Sequence, residues 1–160
     1  MFIGIDPGFS NVGIVALKGG SDIPIEAFKL RYEPTKTDEA KHHTWFDIGY
    51  EVGECLADIK RDRSPRQAMD IGMLAPIQPA KRASHLKIHV ATGVIFGVCM
   101  QYGIASMRTD LGVRRALGPL ISCPLSLKGG AATRFVKKFW PECSNEHLAN
   151  AWLMARYLQI

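Results

Sequence analysis

The chain has 160 residues, 47% of them apolar, which is enough for one domain with a full core and too few for two. Its longest apolar stretch, residues 90–100, is interrupted by Thr92 and Gly93 and is too short for a membrane span, and no secretory pattern precedes it, so we expect a cytoplasmic protein. The net charge is +5, and residues 81–160 contain eleven Lys or Arg against three acidic residues. This asymmetry indicates a polyanionic partner, although a solvated surface with excess lysine explains the charge equally well.

The first half of the chain has the pattern of a meander followed by a helix and a strand. The predicted elements are strands at 2–5, 11–17 and 24–30, a helix at 37–60 and a short strand at 67–71. Pro7-Gly8 forms the first turn because proline presets its φ and glycine tolerates a positive φ. The short connections predict that the first three strands are antiparallel neighbours.

The second half alternates between helices and one further strand. The predicted elements are a long helix at 80–101, a strand at 103–107, a short helix at 111–117, a basic helix at 130–139 and a terminal helix at 144–158 capped by Ser144. This order predicts an α/β fold with a mixed sheet, in one domain that covers residues 1–160. The four cysteines are far apart and form no C-x-x-C pair, which argues against a zinc site or a disulfide framework.

The opening run carries an aspartate, Asp6, at the end of a buried strand and directly before a Pro-Gly turn. A carboxylate in that position lies at the rim of the sheet, where a ligand reaches it. An Asx-type turn, in which Asp6 only caps the bend, is the other interpretation of an isolated D-P-G. The full pattern G-I-D-P-G-x-x-x-x-G, from Gly4 to Gly13, resembles the first motif of the RuvC Holliday junction resolvases, members of the ribonuclease H-like superfamily.

The resemblance continues along nearly the whole chain. The family places a second carboxylate at the end of the strand after the first long helix, and Asp70 has that place here. The family's terminal helix begins with two ligands three residues apart, and H-L-A-N-A supplies His147 and Asn150, which share one helix face. The resemblance implies a ribonuclease H-like fold with a mixed five-stranded sheet flanked by helices. It also implies a site of two Mg²⁺ or Mn²⁺ ions surrounded by Asp6, Asp70, His147 and Asn150.

Two divalent ions hydrolyse a phosphodiester by clamping the attacking and departing oxygens, and hard oxygen ligands hold Mg²⁺ and Mn²⁺ best. His147 would bind as neutral imidazole or act as a base. Asn150 departs from the family pattern because a neutral amide stands where a carboxylate is usual, so the site loses one negative charge. We therefore expect an inactivated or weakened member of the family, unless Glu146 substitutes for the missing carboxylate.

The resemblance also implies a partner, branched DNA, and a homodimer that pairs through the helix at 84–101. An apolar side chain of the family enters the junction as a wedge, and Met73 or Leu74 has that position. The segments V-R-R-A-L-G and G-G-A-A-T-R resemble basic segments of the family. The residues expected to contact DNA are Met73, Lys81, Arg82, Arg114, Arg115, Lys128 and Arg134.

Alternatives remain for each of these residues. Taken singly, Asp70 is consistent with an ordinary loop carboxylate, His147 with a helix-capping residue and Asn150 with a plain polar position, and together, in family order, they favour the site. Met73 is equally consistent with a core methionine. A protein that binds branched DNA without cutting it agrees with Asn150. The D-x-G turn also has a distant likeness to the phosphate loop of sugar kinases and chaperone ATPases, a fold that needs a duplicated domain and a longer chain. Small size, Asp70 and His147 would suit a phage-encoded member.

Overall fold

Five strands form one mixed sheet in the computed structural model, which describes residues 1–8, 10–32, 38–61, 68–76, 83–127 and 130–160. The strands are β1 (Phe2–Asp6), β2 (Asn11–Leu17), β3 (Glu26–Arg31), β4 (Asp70–Ala75) and β5 (Ile104–Thr109). Their order is β3-β2-β1-β4-β5. The first three pair antiparallel, and β4 pairs in parallel with both β1 and β5. The predicted mixed sheet with three antiparallel strands is confirmed.

Helices cover both faces of this sheet. They are α1 (Asp38–Arg61), α2 (Ala83–Tyr102), α3 (Asp110–Ile121), α4 (Ala131–Val136) and α5 (Glu146–Tyr157). The pair α1 and α2 covers one face, where Ile3 and Ile5 are buried together with Ile48 and Ile95. The other face is covered by α5, against which α3 and α4 pack. None of the described helices is long and apolar enough to cross a membrane.

The terminal helix α5 is anchored to the sheet by its aromatic and basic side chains. Trp152 is fully buried, stacks on Phe139 with 5.4 Å between ring centroids, and donates its indole N–H to the carbonyl of Asp22 at 2.7 Å. Arg156 forms an ion pair with the Asp22 carboxylate at 3.0 Å. Burying a large aromatic side chain stabilises a fold by about 3 kcal/mol. These contacts hold the middle and the end of α5 against the connection between β2 and β3.

Several element boundaries differ from the predicted ones. The fourth strand runs over Asp70–Ala75 instead of 67–71, because the apolar run continues past Asp70 and pairs with β1. The last helix begins at Glu146 and is capped by Asn145 instead of Ser144, and α4 stops at Val136. Residues 37, 67 and 80–82, which belong to predicted elements, lie outside the described residues.

Candidate functional site

Asp6 ends β1 on the face covered by α5, and two glycines allow that helix to lie close. A methyl group added at Gly4 would overlap the backbone of α5 at Ala151, and one added at Gly13 would overlap the backbone at His147. The helix α5 therefore rests directly on β1 and β2, and its first turn lies over Gly13, which pairs with Asp6. The glycine spacing of the opening motif thus has a packing reason, which is to bring α5 to Asp6.

The beginning of α5 presents two side chains to Asp6. The Asn145 side chain caps the helix by accepting the backbone N–H of Leu148 at 3.1 Å. His147 and Asn150, one turn apart, then face the strand end. His147 Nδ1 lies 2.9 Å from Asp6 Oδ2, and Asn150 Nδ2 donates to the same oxygen at 3.2 Å. The predicted proximity of Asp6, His147 and Asn150 is present in the structure.

The hydrogen bond to Asp6 raises the pKa of His147 above its ordinary value of 6.5. Partial burial opposes this rise, while the negative charges of Asp6 and Glu146 add to it and the positive charge of Lys29 lowers it. Since a carboxylate only accepts hydrogen bonds, Nδ1 is the protonated nitrogen of His147 in this contact. The imidazole is half-buried and is held in one orientation by Asp6.

A buried arginine continues the hydrogen-bonded chain beyond Asn150. Arg114 on α3 is only 2% exposed, and its Nη2 donates to Asn150 Oδ1 at 3.2 Å. Its Nε donates to Asp110 Oδ1 at 2.7 Å, one turn earlier on the same helix. We call the set Asp110, Arg114, Asn150, Asp6 and His147 the Asp6 centre. Sequence reasoning missed Asp110, whose spacing of four residues before Arg114 was the available signal.

The structure places Asp70 away from this centre, so the predicted grouping of Asp70 with Asp6 is wrong. In the parallel pair of β1 and β4, Asp70 lies beside Phe2, and Ile5 lies beside Met73. Asp70 is therefore at the opposite end of the sheet, about 13 Å from Asp6 along the strands. Continuing the register by one residue puts Leu74 beside Asp6, where it is buried in the core between α3 and α5.

The residues of the Asp6 centre do not fit the two-metal site that the resemblance implies. Asp6 and His147 bring one carboxylate and one imidazole together, while the second carboxylate of the centre, Asp110, is paired with Arg114. Asn150 is a neutral amide engaged on both sides, and Leu74 has no ligand atom. A permanently charged guanidinium lies one hydrogen bond from Asn150 and would repel a divalent ion. No group of three His, Cys, Asp or Glu side chains suited to a metal ion occurs in the described parts of the chain.

The residues predicted to contact DNA fall into three groups. Met73 is 1% exposed and packs in the core, so the predicted wedge is wrong, and the burial of Arg114 contradicts a surface contact with phosphate. Arg115 on α3 and Arg134 on α4 are exposed. Lys81, Arg82 and Lys128 lie outside the described residues.

An exposed lysine that sequence reasoning missed, Lys29 on β3, lies near enough to His147 to lower its pKa. The register of β2 and β3 places Lys29 beside Gly13. The backbone of His147, on the helix packed against this face of the sheet, lies directly over Gly13. No signal in the sequence pointed to Lys29, because the basic excess is in the other half of the chain.

Comparison with known proteins connects this geometry to solved structures. No protein-family model and no curated protein matches the sequence. The structure of Thermus thermophilus RuvC in complex with a Holliday junction substrate superposes with a TM-score of 0.67 at 18% sequence identity, covering 97% of this chain and 90% of that chain. A second Thermus thermophilus RuvC structure gives a TM-score of 0.63 at 19% identity, with the same coverage. The chain therefore shares the fold of these RuvC structures, a mixed five-stranded sheet flanked by helices.

Proposed function

We propose that this chain recognises branched DNA, and four-way junctions in particular, as a protein of the RuvC type. The observation that carries the proposal is the shared fold, which covers 97% of the chain in the comparison with a RuvC bound to a Holliday junction. The D-P-G turn and the His147–Asn150 pair support it, since they meet at one edge of the sheet. A junction is a shape, so phosphate contacts without base readout are sufficient for its recognition.

Exposed positive charge on the side of the sheet that carries the Asp6 centre supports the same proposal. Arg115 and Arg134 are exposed on α3 and α4, the two helices that pack against α5, and Lys29 is exposed on β3. Two further exposed lysines, Lys137 and Lys138, follow α4. Phosphates bound by these side chains release counterions, so we expect the affinity for DNA to fall steeply as salt is raised.

We also propose that the protein is a homodimer that pairs through α2. The apolar residues of this helix are distributed around it instead of forming one stripe, which is typical of a helix that is covered on more than one face. Its described part nevertheless has an open side, because a methyl group at Gly93 or Gly97 would meet no atom within 4 Å. Met100, one turn further along, is 64% exposed. A second copy packed on this side would give a twofold dimer with one Asp6 centre for each of two DNA strands.

Cleavage of the junction is a second candidate function, favoured by the contact between Asp6 and His147. Asp6 holds Nδ1 of the imidazole in its protonated form, and Nε2 is then the nitrogen that accepts a proton from an attacking water. The reaction would be hydrolysis of a phosphodiester. The poor fit of the centre to two metal ions leads us to expect slower cleavage than a complete site would give.

One experiment tests both candidates. The protein is incubated with a labelled four-way junction or a linear duplex of matched sequence, with Mg²⁺, Mn²⁺ or EDTA, and bound and nicked species are measured together. Selective binding of the junction would support the proposed function, and equal binding of both DNAs would contradict it. Paired nicks that disappear in Asp6→Asn, while binding persists, would establish cleavage. Binding without nicks would reject the second candidate.

A further inference from the structure

The Asp6 centre differs from a metal site at the strand position next to Asp6. Leu74 lies beside Asp6 on the parallel neighbour β4, and its side chain is in the same buried cluster as Val113 of α3 and Trp152 of α5. This is the end of the strand that follows the first long helix. An apolar residue in this position supplies neither charge nor a ligand atom toward Asp6.

Asn150 has an arrangement that suits an amide and not a metal ligand. Its nitrogen donates to Asp6 and its oxygen accepts from Arg114, so both halves of the side chain are occupied by opposite charges. If the amide were reversed, its NH₂ group would face the N–H groups of Arg114, and its oxygen would face the carboxylate of Asp6. Neither pair could form a hydrogen bond. The neighbours therefore determine the orientation of the amide.

Arg114 is built into the centre as a permanent positive charge. Its side chain is 2% exposed, and its ion pair with Asp110 at 2.7 Å leaves Nη2 to donate to Asn150. The other terminal nitrogen, Nη1, is buried without a hydrogen-bond partner among the described residues. A guanidinium is charged at every pH at which the protein folds. In a partly dehydrated site this charge opposes the entry of a divalent cation.

We propose that Arg114 supplies the fixed cation of the Asp6 centre in place of divalent metal. The negative charge of Asp6 is then balanced through Asn150 and by His147, and no metal ion is required to hold the carboxylate. The inference deepens the proposed function and rests on it for the identity of the phosphodiester ligand. It predicts that the wild-type centre binds Mn²⁺ weakly, and that weak binding is due to Arg114 as well as to the missing carboxylate.

The test is calorimetric titration of metal-stripped protein with MnCl₂. We expect the wild type and Asp6→Asn to give the same weak signal. In the double variant Arg114→Met/Asn150→Asp, we expect affinity for Mn²⁺ to rise by about tenfold or more, because a carboxylate is gained and the cation is removed. The matched control, Arg115→Met/Asn150→Asp, removes an exposed arginine from the same helix. It should stay near the wild type because Arg114 pairs with the introduced carboxylate.

Either of two results would overturn the proposal. Wild-type protein that binds Mn²⁺ about tenfold or more tightly than Asp6→Asn would show a metal site at Asp6. Equal Mn²⁺ affinity in the two double variants would show that Arg114 does not exclude the ion. Circular dichroism checks each fold, and if the Arg114 variant does not fold, the comparison of wild type with Asp6→Asn still decides. Junction binding measured on the same samples separates failure of the proposed function from failure of this inference.

Discussion

A single carboxylate oxygen, Oδ2 of Asp6, joins the strand end to the terminal helix. It receives hydrogen bonds from both His147 and Asn150, and its residue is mostly buried. Charge-assisted hydrogen bonds of this kind are about twice as strong as neutral ones. At the scale of residues, the centre is therefore defined by the hydrogen bonds to this one oxygen. The pKa of His147 is sensitive to one of them.

The first prediction concerns the titration of His147. Its pKa in the folded protein is raised above 6.5, chiefly by the hydrogen bond to Asp6. NMR titration in EDTA should therefore give a midpoint above 6.5 for this residue, assigned by comparison with His147→Gln among the five histidines. In Asp6→Asn the midpoint should move back toward or below the ordinary value. An unchanged midpoint in Asp6→Asn would contradict the assigned cause.

The same shift has a consequence for stability. A pKa that is raised on folding contributes stability that is fully present below the unfolded value and is lost as the pH rises through the folded pKa. The free energy of unfolding should thus decline across that interval in the wild type. The decline should be smaller in His147→Gln, as measured by urea unfolding at several pH values. Identical pH dependence in both proteins would contradict this expectation.

Between elements, the decisive contact is that of α5 with β1 and β2. The backbone of α5 lies closer to these strands than any side chain at positions 4 and 13 would permit, because Gly4 and Gly13 lie directly under it. A helix displaced outward from the sheet would carry His147 and Asn150 away from Asp6. The position of the centre therefore depends on glycines that make no chemical contribution to it.

We predict that Gly4→Ala destabilises the protein by about 3 kcal/mol, because the added methyl would overlap the backbone of α5 at Ala151 and Ala155. The control is Gly19→Ala, where the nearest atom is a ring carbon of Phe2 at 3.7 Å, and a change within about 0.5 kcal/mol is expected there. Chemical denaturation measures both. Equal stability of the two variants would contradict the account of α5 docking.

Much of the architecture could be predicted from local sequence patterns. The errors arose where the position of a residue depends on how two strands pair. Alternating apolar runs and short turns predicted the three antiparallel strands, and the spacing of three residues predicted that His147 and Asn150 share a face. The position of Asp70 could not be predicted, because the register of β4 against β1 depends on tertiary packing, and a shift along the strand moved this carboxylate to the other end.

The two neighbouring arginines of α3 show the same limit at a smaller scale. Arg114 and Arg115 are neighbouring residues of the same type, so the sequence does not distinguish them. In the helix, Arg114 faces the core and Arg115 faces solvent. The buried face of α3 also contains Val113 and Leu117, and Asp110 makes burial of Arg114 possible by pairing with it. Only the three-dimensional structure shows that the charge at Arg114 belongs to the Asp6 centre.

For the whole molecule, the sheet separates two surfaces with different expected partners. One face carries α3, α4 and α5 with the Asp6 centre and exposed basic residues, and the other carries α1 and α2. The proposed functions follow this division, with DNA on the first surface and a second copy of the chain on α2. A substitution on one surface therefore makes no direct contact with the other surface, so the two proposed interactions can be tested separately.

We predict that Gly97→Arg converts a dimer into a monomer without loss of fold, because position 97 is open to solvent in the single chain. Sedimentation velocity should show the change of mass, and circular dichroism should be unchanged. The control is Leu120→Arg, which places the same charge at an exposed apolar position of α3, 59% exposed, and should leave the dimer intact. A wild-type protein that sediments as a monomer at all concentrations would contradict the proposed pairing.

The most direct test of the central claim is a competition measurement of affinity for a four-way junction against a linear duplex of the same sequence. It is made by fluorescence anisotropy in EDTA at several salt concentrations, so that cleavage does not contribute. We expect a preference for the junction of at least about tenfold, together with an affinity that falls steeply with salt. Equal affinity for the two DNAs would contradict the claim that this protein recognises branched DNA.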